Sequence, residues 1–214
     1  MNKNKYNYII WDWNGTLFDD VHLCVDIMNN ILKKRNLQTL SVEGYKQVFN
    51  FPVKDYYQKL GFDFEKESFE KLGIEFINEY NQRRFECNLH DYVVRLLRQL
   101  QDNGIKQFIL SAREHNKLLE DLRYFGISEF IEDVSGLDNH FAGGKVLLGE
   151  NLLQKHNIPN TDCVLIGDTI HDAEVAQKLN IDYILIASGH HSIERLNTLD
   201  LNVVQSFYEI EKYL

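Results

Sequence analysis

Apolar residues in this chain occur in two patterns: short unbroken runs, and stripes recurring every three or four positions. The first run, Tyr8-Ile9-Ile10-Trp11, is β-branched and aromatic and ends at Asp12 and Gly15, which predicts a buried strand opening into a loop. Val21, Cys24, Val25, Met28, Ile31 and Leu32 then share one helical stripe, with Asp19 and Asp20 where a cap and a first-turn acid belong. From about 41 to 86 the character stays helical. Ser41 with Glu43 and Gly44 starts a short segment, and Phe51-Pro52 breaks it. Tyr56, Tyr57 and Leu60 lead to a C-cap at Gly61, and Phe69, Leu72, Phe76, Ile77 and Tyr80 form a further stripe. No strand-like alternation interrupts this block, so it reads as all-α.

Beyond it the pattern alternates. A helix over 91–103 stops at Asn103-Gly104, Ile105–Leu110 is a strand, and Leu118, Leu119, Leu122 and Phe125 mark a helix ending at Gly126. Phe130–Val134 reads as a short strand and Gly149–His156 as a helix. Cys163–Ile166 is a strand ending at Gly167-Asp168, Ala173–Leu179 a helix, Tyr183–Ile186 a strand ending at Ser188-Gly189, and Val203-Val204 a last candidate. Nearly continuous apolar strands alternating with helices predict a parallel sheet covered on both faces. The fold class is therefore α/β, a Rossmann-like parallel-sheet core of residues 1–18 and 88–214 with an inserted all-α helical cap of residues 19–87. In such sheets ligands sit beyond the carboxyl ends of the strands, at a topological switch point. Asp12, Ser111, Asp168 and Ser188 occupy those ends.

Composition narrows the options. The apolar fraction of 44% over 214 residues supports a sizeable core and argues against disorder. The net charge of -9 disfavours a nucleic-acid partner, because an acidic chain repels phosphate backbones. No run of about 18 apolar residues exists to span a membrane, and the N-terminus lacks an apolar signal core. Cys24, Cys87 and Cys163 are odd in number and widely spaced, as reduced thiols would be. These features predict a cytoplasmic protein, monomer or homodimer, without nucleic-acid or membrane partners.

Two loops carry chemistry. In the first, Asp12 is followed by Gly15 and Thr16; glycine lets backbone N–H groups approach a ligand, and threonine adds a hydroxyl. The second is Gly167-Asp168-Thr169-Ile170-His171-Asp172. Its two carboxylates converge if a helix begins there, and clustered carboxylates suit Mg²⁺; equally, they serve as cap and first-turn acid of the following helix.

The order of these features resembles the haloacid dehalogenase-like hydrolase superfamily, in its phosphoglycolate-phosphatase-like branch with a helical cap. The family's first motif, a strand followed by Asp-x-Asp-Gly-Thr, is similar to Ile9-Ile10-Trp11-Asp12-Trp13-Asn14-Gly15-Thr16. The second falls on Ser111, the third on Lys145 in Phe141-Ala142-Gly143-Gly144-Lys145, and the fourth on Gly167, Asp168 and Asp172. The resemblance implies a phosphatase acting on a small phosphorylated metabolite of phosphoglycolate or sugar-phosphate type. Asp12 would be the nucleophile that forms an aspartyl-phosphate. Mg²⁺ would be held by Asp12, Asp168 and the backbone carbonyl of Asn14, with Asp172 in support. Gly15, Thr16, Ser111, Ala112 and Lys145 would bind the phosphoryl group.

One departure stands out. The family's phosphatases carry a second Asp, as general acid and base, where this chain has Asn14. An amide can neither protonate a leaving alkoxide nor take a proton from water, and general acid–base catalysis is typically worth about 10²–10⁴-fold. A slow phosphatase is expected. The alternatives are a carbon–phosphorus hydrolase resembling phosphonoacetaldehyde hydrolases, with Lys54 as its Schiff-base amine, and a non-catalytic relative that binds a phosphorylated ligand. His115, His171, His190-His191, Arg83-Arg84, Lys33-Lys34-Arg35 and Trp13 are secondary candidates, each with a capping, solvated or packing role as the plainer reading. Segments 17–20 and 84–90 are the hinge candidates.

Overall fold

Strand β1 (Tyr8–Trp11) lies inside a six-stranded sheet of order β5-β4-β1-β6-β7-β8, every pairing of which is parallel. The computed structural model describes residues 5–137, 144–198 and 202–214. The other sheet strands are β4 (Lys106–Glu114), β5 (Asp133–Leu137), β6 (Cys163–Gly167), β7 (Asp182–Ile186) and β8 (Val203–Val204). After β1 the chain builds outward through β4 and β5, then returns to place β6 on the other side of β1. The switch point therefore falls between β1 and β6. In that register Trp11 pairs with Ile166, so Asp12 and Asp168 leave the sheet at the same end.

Period-two alternation sorts the strand side chains onto two cores. Ile9, Trp11, Ile109 and Ile166 pack on the face that carries α1 (Val21–Lys33) and α5 (Val93–Asp102). Ile10, Phe108, Leu110 and Leu165 pack on the opposite face, against Leu152 and Leu153 of α7 (Lys145–Lys155) and Val175 and Leu179 of α8 (Ile170–Leu179).

Residues 21–86 contain only helical elements: α1, α2 (Val42–Val48), α3 (Val53–Lys59), α4 (Phe69–Arg83) and a short 3-10 turn. Ser41 and Ser68 cap α2 and α4 through their hydroxyls. A two-residue antiparallel ribbon, β2 (Phe18–Asp19) with β3 (Asn88–Leu89), joins the chain entering this block to the chain leaving it. The ribbon falls inside both segments that the sequence marks as hinge candidates, although strands this short give no period-two signal.

Several boundaries differ from expectation. Strand β4 runs on past Leu110 to Glu114, with a register shift between them, so Ser111 sits within a bulged strand rather than after it. Residues Ser128–Phe130 form a 3-10 turn, and β5 begins three residues later than its apolar content suggests, because the edge strand carries Asp133, Ser135 and Gly136. The last helices, α9 (Ile193–Leu196) and α10 (Phe207–Ile210), are too short for a periodic signal.

Candidate active site

The loop after β1 is tied down from several sides. The Asp12 N–H donates to the Ile166 carbonyl (2.8 Å), continuing the ladder by one residue. Gly15 adopts φ +73°, a left-handed conformation open to glycine; a Cβ there would strike the Asp168 carboxylate and the His190 ring. The Gly15 carbonyl meets His90 Nε2 at 3.1 Å.

The predicted acids converge. Ligand oxygens of Asp12, Asp168 and Asp172 lie within 4.8 Å of one another, and all three residues are buried. Lys145, the first residue of α7 and itself only 6% exposed, donates to Asp12 Oδ1 and, at 2.5 Å, to Asp172 Oδ1. Asp172 Oδ2 takes the Thr169 hydroxyl (2.7 Å) and backbone N–H (3.0 Å). The capping and site roles of Asp172, alternatives at the sequence level, are thus both filled, one by each oxygen. Asp168 Oδ1 accepts from Thr16 Oγ1 (3.0 Å) and its Oδ2 from the His190 N–H (2.5 Å).

Lys145 pairs with two of the three buried carboxylates, and the protonation equilibria register the shortfall. Burial pushes Asp12 up to about 7 against the pull of Lys145, and pushes Asp168 up to about 6. Asp172 stays below the usual carboxylate range because, despite burial, Lys145 and Thr169 hold its charged form. Burial weakens the Lys145 ammonium, yet Asp12 and Asp172 together raise it above an ordinary lysine. The set is all oxygen, hard and short of positive charge, which suits a divalent cation such as Mg²⁺.

Ser111 is buried and Ala112 exposed; both line, with Asp12, Asn14 and Lys145, a cavity of about 730 Å³ between the strand ends and the helices. Its far wall is built by Tyr45, Phe49, Tyr56, Phe76, Ile77 and Tyr80. Residues 141–143 of the third motif lie outside the described residues.

The Asn14 side of the loop is the part that sequence reasoning missed. The Asn14 amide donates to Asp20 Oδ2 (2.7 Å) and approaches the Tyr80 hydroxyl (2.6 Å), which itself donates to Asp20 Oδ2 (2.7 Å). Asp20 Oδ1 accepts from the Gly15 N–H (2.9 Å) and lies 3.3 Å from His190 Nε2. Asp20 occupies the cap position of α1 but makes no side-chain cap bond there; its carboxylate turns to the β1 loop instead, correcting the capping expectation. His190 Nδ1 meets the Tyr45 hydroxyl at 2.9 Å. Although burial opposes both charges, His190 holds Asp20 down to about 2 and Asp20 raises His190 to about 9. The only hint in the sequence was Asp20 following the Gly15-Thr16 loop at short range.

The remaining candidates lie elsewhere. Lys54 is exposed, sits over the Phe64 ring (5.5 Å) and does not line the cavity, so it offers no Schiff-base amine there. Arg84 is buried against Asp121 (2.7 Å), while Arg83, Lys34 and Arg35 pair with acids of the helical block and its margin. Trp13 stacks on Phe18 (5.3 Å) within the core instead of facing the cavity. His171 stacks on Phe51 (4.8 Å) at the cavity wall. His191 Nδ1 accepts the Ile170 N–H (3.1 Å).

Comparison with known proteins agrees with this arrangement. Residues 9–186 match the family model described as haloacid dehalogenase-like hydrolase. The chain is 24% identical over 199 residues to the tyrosine-protein kinase PtkA of Mycobacterium tuberculosis, covering 92% of this chain and 67% of that protein. It is 20% identical over 191 residues to a phosphoglycolate phosphatase of Rhodobacter capsulatus, covering 85% and 84%. The crystal structure of a predicted phosphatase from Clostridium acetobutylicum superposes with a TM-score of 0.81 at 23% identity, over 97% of each chain. With all four motif positions gathered at the β1–β6 switch point and the match running from the first strand through β7, this chain belongs to the haloacid dehalogenase-like hydrolases.

Proposed function

We propose that the protein is a phosphatase that hydrolyses a phosphate monoester of a small metabolite through an aspartyl-phosphate on Asp12, slowly because residue 14 is Asn. The observation that supports this most is the shared contact of Lys145 with Asp12 and Asp172 beside Asp168, at the mouth of a cavity large enough for a metabolite. The phosphoglycolate phosphatases among the related proteins put phosphoglycolate on the panel of substrates to be tested.

In this reading Asp12 Oδ2 attacks phosphorus while Lys145 holds Oδ1 and so orients the carboxylate. Ser111 and Lys145 bind phosphoryl oxygens, and Thr16 fixes Asp168. Mg²⁺ would be held by Asp12, Asp168 and the Asn14 carbonyl with Asp172 behind, and when bound would neutralise the charge that otherwise keeps a carboxylate from a phosphate dianion. Asn14 keeps the loop's shape through Asp20 and Tyr80 but delivers no proton to the leaving oxygen.

The test is phosphate release with Mg²⁺ from a panel of phosphomonoesters, run beside Asp12→Asn. Mg-dependent release that disappears in the variant, with acid-stable phosphate trapped on Asp12, is the expected result. Release that survives in the variant overturns the assignment.

A further inference from the structure

The cavity beyond the phosphoryl site is aromatic and offers no unpaired cation among its lining residues. Besides Lys145, its basic side chains are Arg113, bound to Asp121, Lys117, bound to Glu120 at 2.9 and 3.0 Å, and His171, 3.4 Å from Glu174; His190 is bound to Asp20. Glu70 and Glu114 add negative charge. A substrate carboxylate or second phosphate would meet no unpaired cation there; the buried Tyr56 hydroxyl, which has no hydrogen-bond partner, offers a neutral donor instead. Tyr45, Phe49, Phe51, Tyr56, Phe76 and Tyr80 instead present ring faces and edges. Phe49 packs against Phe51 (5.4 Å), Tyr56 (5.3 Å) and the His190 ring (5.2 Å), so this wall is a continuous aromatic surface reaching the catalytic loops.

Asn14 adds an independent constraint on the same group. With no proton donor at this position, the leaving oxygen departs with its electron pair as an anion. A phenol, with a pKa of about 10, leaves far more readily than an aliphatic hydroxyl, whose pKa is close to the roughly 15.7 of water. The shape and the missing acid select the same chemistry.

We propose that the substrate is an aryl phosphate monoester whose ring is held by the aromatic wall of the helical block. This rests on the phosphatase reading above and names its substrate class. The Asp12 carboxylate forms a bond to phosphorus, and the bond from phosphorus to the aryl oxygen breaks. The phenolate takes a proton from water. A water molecule then attacks phosphorus, the Asp12–phosphorus bond breaks, the carboxylate is regenerated and the proton balance closes on phenol and hydrogen phosphate.

Four probes separate the two constraints: phenyl phosphate (aromatic, good leaving group), benzyl phosphate (aromatic, poor), acetyl phosphate (small, good) and phosphoglycolate (small, anionic, poor). With Mg²⁺, kcat/KM for phenyl phosphate is expected to exceed that for acetyl phosphate at least tenfold and that for phosphoglycolate at least a hundredfold. Benzyl phosphate should bind competitively while turning over about a hundredfold more slowly than phenyl phosphate. Phe76→Ala should lower kcat/KM for phenyl phosphate about tenfold more than for acetyl phosphate, with Phe76→Leu recovering part of the loss. Turnover of acetyl phosphate with no preference for phenyl phosphate, or phosphoglycolate as the best of the four, overturns the aryl proposal and leaves the phosphatase standing. No release from any probe, and no phosphate on Asp12, overturns both.

Discussion

The loop after β1 has two flanks built on opposite principles. Toward Lys145 it is short of positive charge: of three buried carboxylates, Asp12 and Asp172 share one ammonium and Asp168 has no contact with it, and burial drives Asp12 and Asp168 toward protonation. Toward Asp20 it is balanced: a buried Asp20–His190 pair, two tyrosine hydroxyls and the Asn14 amide satisfy one another. The first flank is poised to bind something from outside, whereas the second is complete and holds the loop in place. Reactivity and rigidity are thus divided between two faces of one short turn.

Breaking the deficient flank should give the largest effects. Asp12→Asn is expected to lower phosphate release by at least about 10³-fold without lowering the melting temperature, because it removes the proposed nucleophile and one carboxylate from a cluster with more acids than cations. Lys145→Met leaves Asp12 and Asp172 without their shared cation; we expect a loss of about 3–5 kcal/mol in urea unfolding without metal.

The balanced flank yields a sharper test. Asn14→Asp alone would set a carboxylate within hydrogen-bond distance of Asp20, so it should destabilise the fold and restore little activity. Asn14→Asp with Asp20→Asn exchanges the partners and keeps the bond. We expect this double variant to gain about 10²-fold in kcat on an alkyl phosphate relative to wild type, read in the same assay. If the single and double variants behave alike, the contact between these residues does not set the identity of residue 14.

The smallest effect lies just beyond that flank. Burial holds the His191 imidazole down to about 3. It is neutral in the folded state, while the unfolded chain takes up a proton near 6.5. Its contribution is complete above pH 6.5 and is lost as the pH falls toward 3. Between pH 6.5 and 5 this amounts to about 1–2 kcal/mol. His191→Gln should flatten the acid side of the unfolding free-energy profile, read by urea titration at each pH, by that amount.

These contrasts track what was readable in the sequence. Asp12, Asp168 and Asp172 stand at strand ends and a helix start that hydrophobic periodicity marks; Ser111, inside the bulged β4, and Lys145, four residues before the start that periodicity gave its helix, were legible through the order of the family's motifs. The alternation of strands and helices likewise placed the core and the helical block. Asp20, His190, Tyr45 and Tyr80 were not readable as a unit, because they meet only when α1, α2 and α4 fold onto the loops after β1 and β7. The ribbon β2–β3 escaped because two-residue strands carry no pattern, and the displaced start of β5 because an edge strand tolerates polar residues.

Asp121 is reached by two guanidinium groups: Arg84, on the chain leaving the helical block, and Arg113, two residues beyond Ser111. Any outward swing of the helices that pulls on Arg84 therefore loads the same anchor that steadies the serine-bearing bulge. Grafting another protein's helices onto this scaffold would have to preserve that tether, or the bulge that carries Ser111 would lose one of its two supports.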